Sequence, residues 1–322
     1  MIGRRDFITL LGGAAAWPLP ARGQQGTNKL PTVGFLGSDA SGWSSWTAAF
    51  MQRLREFGWI EGRTIAIEYR WSEGRFERHA EIAAEFVRLK VDVIVSNAFA
   101  VPTLMQATDV IPIVFALGGD PVGAGVIASL ARPGGNVTGI VVQQMELAAK
   151  RIELLREVLP DARRIGLVSD ALSSDQIDTA AGAARSLGFV PLLVELSGPH
   201  PDYIAALRRM GDAQAVVIPA GPLFMRDRVA IAEALTQAGI PSICAFREIA
   251  EAGALMSYGV DLAALFRDMA DYVDRIAKGG KPADLPIEHA TRFHMAINLK
   301  AALRLGVSVS NAFAARANEV IE

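Results

Sequence analysis

The sequence predicts an α/β fold of two doubly wound, parallel-sheet lobes facing each other across a cleft. Three observations carry that prediction. Short runs rich in Val and Ile recur along the chain, as strands buried on both faces require. Between them the apolar period changes to that of a helix. The alternation falls into two blocks, each the size of one doubly wound sheet, within a chain of 322 residues that exceeds what one core usually fills.

Taken in order, the first strand is 32–37. Trp46, Phe50, Leu54 and Phe57 then share one helical face, and Gly58 supplies the stop. A strand over 64–69 leads to a helix carrying Ile82, Phe86 and Leu89, and strands follow over 91–96 and 111–117. Pro121 suits the first position of a short helix over 122–130, and Arg132-Pro133-Gly134-Gly135-Asn136 reads as a tight turn into 137–142. The second block opens with the stripe Ala148, Ile152, Leu155 and Leu159. After a strand at 165–169, Ser173-Ser174-Asp175-Gln176 reads as a capping box before Ile177, Ala181 and Ala184, with Gly188 as the stop. Strands follow over 190–196, 215–220, 240–246 and 254–259. A last amphipathic helix carries Leu262, Leu265, Phe266, Met269, Val273 and Ile276, and ends at Gly279-Gly280.

The first residues read as an export signal: Arg4-Arg5, an apolar stretch from Phe7 to Trp17, then Ala21-Arg22-Gly23 as a small-residue cleavage site. The arginine pair resembles a twin-arginine signal, and a general secretion route stays open beside it. About 11 apolar residues are too few to span a bilayer, and no Cys near the cut offers a lipid anchor. A soluble, exported, periplasmic protein is expected, with residues 1–23 set aside from the fold. The formal net charge of −2 supplies no basic excess for nucleic acid. Cys244 is the single cysteine, so no intrachain disulfide can form, and its apolar run marks it as a buried small hydrophobe.

No G-x-G-x-x-G turn follows the first strand, and neither a P-loop nor a G-x-S-x-G elbow occurs. No histidine pair has metal-ligand spacing, so neither metal, cofactor nor catalytic residue is expected. In doubly wound sheets ligands bind beyond the carboxyl ends of the strands. Those ends hold Ser38 and Trp43, Ser96 and Asn97, Gly118-Gly119-Asp120, Ser169 and Asp170, and Phe246. Small hydroxyls, amides, carboxylates and aromatics of this kind suit a small zwitterion with an apolar side chain. Tyr258 is a further stacking candidate.

Several long segments carry a resemblance: EGRTIAIEYRWSEGRFER, VDVIVS, IPIVFALGGDPVGAGVIASLARPGGNVTG, FREIAEAGALMSYG, GKPADLPIEHATRFHMAINLKAALRLGV and RANEVIE. In this order they resemble the substrate-binding proteins of ABC transporters, in the tryptophan/tyrosine-binding (TrpX-like) group with the type I periplasmic-binding-protein fold. The resemblance implies two lobes joined by a three-strand hinge, with crossovers near 139–143, 246–253 and 286–293. Lobe 1 is then 29–141 plus 247–290, and lobe 2 is 142–246 plus 291–322. It implies a monomeric receptor without a membrane anchor, serving ABC permease and ATPase subunits in the inner membrane. Of the strand-end residues, Ser38, Trp43, Asn97, Asp120, Phe246 and Tyr258 stand at matching positions. The chain departs from the family at Ser96-Asn97-Ala98, Ser169-Asp170 and Gly221, all at the implied cleft. The ligand is therefore left open among amino acids and related carboxylates, aromatic ones included. Two alternatives stand beside this reading: a ligand-sensing periplasmic partner of a signalling system, and an exported hydrolase using Asp120 or Asp170.

Overall fold

The computed structural model describes residues 29–118, 121–123 and 125–322. The first sheet is built by β1 (Thr32–Gly37), β2 (Ala66–Trp71), β3 (Val93–Asn97), β4 (Ile113–Gly118) and β5 (Val137–Val141). Between these strands run α1 (Ser44–Glu56), α2 (Arg78–Leu89) and α3 (Val101–Ala107). The chain then crosses to a second sheet through α4 (Gln144–Val158), β6 (Arg164–Ser169), α5 (Ser174–Ser186) and β7 (Val190–Glu195). It continues with α6 (Tyr203–Arg209), β8 (Ala215–Ile218), α7 (Pro222–Arg226), α8 (Arg228–Ala238), β9 (Ser242–Cys244), α9 (Arg247–Glu251) and β10 (Met256–Val260). From there α10 (Leu262–Ala277) returns to pack on α1, and the two-residue β11 (Glu288–His289) joins the first sheet beside β5. The chain finishes in the second sheet with β12 (Phe293–Asn298), α11 (Leu299–Leu305), α12 (Asn311–Ala314) and β13 (Glu319–Ile321).

The strand orders are β11-β5-β4-β3-β1-β2 and β13-β12-β10-β9-β8-β6-β7. All pairings are parallel except β10 with β12. In both sheets the order reverses beside the first strand of the block, opening a crevice at the carboxyl ends of β1 and β3 and of β6 and β8. The strands of the first sheet run as continuous buried residues in β1, β3 and β5, because α1 and α10 cover one face and α2 and α3 the other.

Local differences from the sequence reading have physical reasons. The boundary expected at 246–253 lies after Val260 instead. Residues 247–260 belong with the second sheet, because β10 pairs with β9 at Ser257↔Cys244 and with β12 along its whole length. The preceding α9 is tied to the same lobe: Arg247 pairs with Glu319 at 2.5 Å, and Asn298 donates to the Ala250 carbonyl at 2.9 Å. No helix runs over the described residues of 122–130. The chain turns there, with Gly125 at φ +70° and the Val126 and Ile127 amides both bonded to the Pro121 carbonyl. A left-handed glycine cannot continue a helix. The capping box is also not made. Ser173 Oγ accepts the Asp170 amide at 2.9 Å, and the Gln176 side chain exchanges two hydrogen bonds with the Ala220 backbone. Those bonds fasten the start of α5 to the end of β8. The export signal lies outside the described residues. Among the described residues, no helix is long and apolar enough to cross a membrane.

Candidate ligand-binding site

The crevices of the two sheets face each other and enclose a cavity of about 380 Å³. The first lobe contributes Ser38, Trp43, Trp46, Asn97 and Phe99 to its wall. The second contributes Gln144, Met145, Arg151, Leu172, Asp175, Gln176, Ala220, Met225 and Phe246. A volume in this range, mostly apolar with a few polar groups, is that of a small-molecule site.

Trp43 is placed by the turn that follows β1. Asp39 anchors the turn by accepting the Gly42 amide at 2.6 Å, and its carbonyl accepts the Trp43 amide at 3.1 Å. The indole packs edge-on to Phe266 with ring centres 5.3 Å apart and against Trp46 at 5.6 Å. Gly37 makes room for this: a Cβ there would stand 2.2 Å from the Trp71 ring and 3.1 Å from Trp43. Asn97, at the end of β3, accepts the Phe99 amide on Oδ1 at 3.0 Å and so shapes the turn that brings Phe99 to the wall. On the opposite side, Phe246 immediately precedes α9. Its neighbour Glu248 reaches back across the cleft, where Oε1 accepts the Trp46 indole N–H at 3.1 Å. That bond joins the two lobes at the edge of the cavity.

Of the residues singled out from sequence, Ser38, Trp43, Asn97 and Phe246 come together on this wall. Four others do not. Ser96 is buried with its hydroxyl on the Leu36 carbonyl at 3.3 Å, because successive strand residues point to opposite faces and Asn97 has the cavity side. Ser169 is buried at the end of β6, away from the wall. Asp170 is spent on its own turn, where Oδ1 accepts the Leu172 amide at 3.2 Å. The Tyr258 ring lies against Phe293, and the cavity meets its successors Gly259 and Val260 instead. Asp120 lies outside the described residues. Cys244 is buried beneath the site, and burial pushes its thiol up to about 12.

The reading from sequence missed Trp46, Phe99, Gln144, Met145, Arg151, Asp175 and Gln176. Arg151 is the most consequential. Its side chain is 1% exposed, and Nε donates to the Tyr258 carbonyl at 2.9 Å. Burial lowers its guanidinium to about 10, so it is charged at neutral pH. A signal for it was present: residue 151 falls on the apolar stripe of Ala148, Ile152 and Leu155, where a charge has no structural reason to stand.

Glu248 gives the lobe-to-lobe contact a pH dependence. Burial, partly offset by its hydrogen bonds and Arg247, holds its carboxyl above the usual carboxylate range, and Oε2 is buried without a partner. A folded carboxyl that keeps its proton to higher pH than the unfolded one, about 4.3, contributes stability that is complete below that value. The contribution is lost as pH rises through the folded pKa. Glu248→Gln should keep the Trp46 bond and flatten this part of the curve. Urea denaturation from pH 4 to 7 reads it: equal slopes for both proteins would show that Glu248 does not titrate in this way.

Comparison with known proteins places this architecture. The family described as ABC transporter substrate binding protein matches residues 42–321. A tyrosine-binding protein of Clostridioides difficile is 25% identical over 255 residues, covering 77% of this chain and 73% of the relative. Among solved structures, an ABC domain in complex with L-Trp from Streptococcus pneumoniae superposes with a TM-score of 0.83 at 22% identity. It covers 91% of this chain and 100% of its own. The ligand-free, open form of a substrate-binding protein with adhesive properties from Clostridium difficile gives a TM-score of 0.69, also at 22% identity, over 91% of this chain and 99% of its own. At that identity the two structures establish the fold.

Proposed function

The chain belongs to the ABC transporter substrate-binding protein family, and from that premise we propose that it is the exported, non-catalytic receptor of an importer. In this reading it captures an amino acid or related carboxylate, with an aromatic side chain favoured, between its two lobes. It then delivers the ligand to a permease driven by ATPase subunits in the inner membrane. One observation carries the proposal: a cavity whose wall is shared by both lobes, with Trp43, Trp46 and Phe99 on one side and Phe246 on the other. A ligand there touches both lobes only when they are together, so its binding energy favours closure, which is what a hinge-type receptor requires. The higher similarity to the L-Trp complex than to the open, ligand-free structure, at equal identity and coverage of this chain, supports a closed arrangement. The tyrosine-binding relative supports the ligand class.

Thermal unfolding of the full chain with each of the twenty L-amino acids and a set of aromatic carboxylates tests the proposal. A ligand present at about 100 times its Kd stabilises by about 2.7 kcal/mol, a shift of several degrees for a protein of this size. A shift with at least one aromatic amino acid is the expected result. No shift with any compound would remove the proposed ligand class.

A further inference from the structure

Arg151 carries a buried charge that no acid among the described residues balances. It projects from α4 toward β9 and β10, is 1% exposed, and lies on the wall of the cavity. One nitrogen, Nε, is satisfied by the Tyr258 carbonyl. The other two, Nη1 and Nη2, are buried and have no hydrogen-bond partner among the described residues. Among the described residues no carboxylate forms an ion pair with it, and the Cys244 thiol beside it is held in its neutral form by burial. The acid among the described residues of the cavity wall, Asp175, is exposed at the start of α5 and makes no ion pair with Arg151.

An unpaired charge in such a place is costly. A buried guanidinium needs both a counter-charge and acceptors for its N–H groups. Three other arginines are paired with acids: Arg53 with Asp271, Arg70 with Glu85, and Arg247 with Glu319. Arg151 differs from these in having a cavity beside it and no acid. The Nε bond fixes the plane of the guanidinium and leaves its outer edge, with two parallel donors, for a bidentate partner. The residues flanking its two neighbours are small where they meet the cavity, Ala245 next to Cys244 and Gly259 next to Tyr258.

We infer that Arg151 is the anion receptor of the cleft: its two unpaired guanidinium N–H groups take the carboxylate of the ligand. This rests on the receptor reading above and sharpens it. The ligand must carry a carboxylate, α-amino acids and amine-free acids are both eligible, and neutral or purely cationic analogues are rejected. Loading also completes a hydrogen-bonding deficit that the empty protein carries, so the ligand contributes stability beyond its apolar contacts.

Calorimetric titration of the full chain with matched probes tests this: L-tryptophan and L-tyrosine, their carboxamides, and tryptamine and tyramine. The acids should bind roughly 100-fold more tightly than their amides or amines, as expected when a buried charge loses its partner. Arg151→Met should weaken binding of the acids by roughly the same factor and leave the amides unchanged or improved. The empty Arg151→Met protein should melt no lower than wild type, because the substitution removes an unpaired buried charge. The comparison of acid with amide on the wild-type protein does not depend on that variant folding. Equal binding of acid and amide, or of the acids by wild type and Arg151→Met, overturns the role of Arg151 and leaves the receptor reading standing. Absence of binding by wild type to every acid, amide and amine overturns the receptor reading for this ligand class, and the inference with it.

Discussion

Phe35→Ala is expected to destabilise the protein by about 3–5 kcal/mol, the range for removing a fully buried phenylalanine. Phe35 is fully buried at the centre of β1, where five aromatic rings surround it. Its ring centre lies 5.5 Å from Phe50, 5.6 Å from Tyr69, 5.8 Å from Trp71, and 6.3 Å from both Trp43 and Phe266. These neighbours come from α1, β2, the turn after β1, and α10, so truncation opens a cavity between four separate elements. Interiors packed this densely relax only in part. The effect reaches the site because Trp43 uses one edge against Phe35 and lines the cleft. Equilibrium urea denaturation should show the loss, and affinity for any ligand found in the amino-acid screen should fall with it. A loss below about 1 kcal/mol would mean that the cluster can collapse around the missing ring. Phe35→Leu, which keeps a branched apolar side chain, should lose less.

The same residue shows why the fold was legible. Phe35 sits in a run of six buried positions between Pro31 and Ser38, and the helical stripes on Phe50 and Phe266 are what cover it. Pattern and tertiary burial coincide in β1, α1 and α10, so apolar period alone recovers them. β11 has only two residues, both exposed, and holds its place by pairing with β5, a contact that leaves no trace in local composition. The boundary after Val260 was hidden for a related reason. Both 240–246 and 254–259 read as buried strands, but which sheet a strand joins is decided by its neighbours. At the site, strand ends identified the region, and Ser38, Trp43, Asn97 and Phe246 lie on the wall. The period-2 facing that separates Ser96 from Asn97 depends on where the strand meets the cleft. Arg151 escaped because it is far in sequence from any strand end. It is a charge inside an apolar helix face, and its meaning emerges only when α4 is seen packed over β9 and β10 with the cavity alongside.

The second large effect concerns Gly139, the last residue of the glycine-rich stretch 118–139. Gly139→Ala should cost about 4 kcal/mol, the combined scale of left-handed backbone strain and forced overpacking. Gly139 lies within β5 at φ +151°, opposite Phe115 of β4. A Cβ there would stand 2.0 Å from the Phe115 carbonyl oxygen and 2.8 Å from its amide nitrogen. Both obstacles are backbone, so no side-chain rotation relieves them. The register of β4 and β5 also shifts between Phe115 and Gly118, which shows how the pair already bends to bring the strands this close. Two residues after Gly139 the chain leaves the first sheet, and after two more it enters α4 with Gln144, Met145 and Arg151. Displacing β5 therefore moves the helix that supplies much of one cavity wall, so ligand affinity should fall together with stability. Gly182→Ala is the matched control. Gly182 is exposed within α5, with no atom within 4 Å of an added Cβ, and alanine there should stabilise the protein by up to about 1 kcal/mol. Urea denaturation of the two variants side by side separates a general glycine effect from a positional one. If Gly139→Ala unfolds within about 1 kcal/mol of wild type, the close approach of β5 to β4 is not what holds the first passage between the lobes.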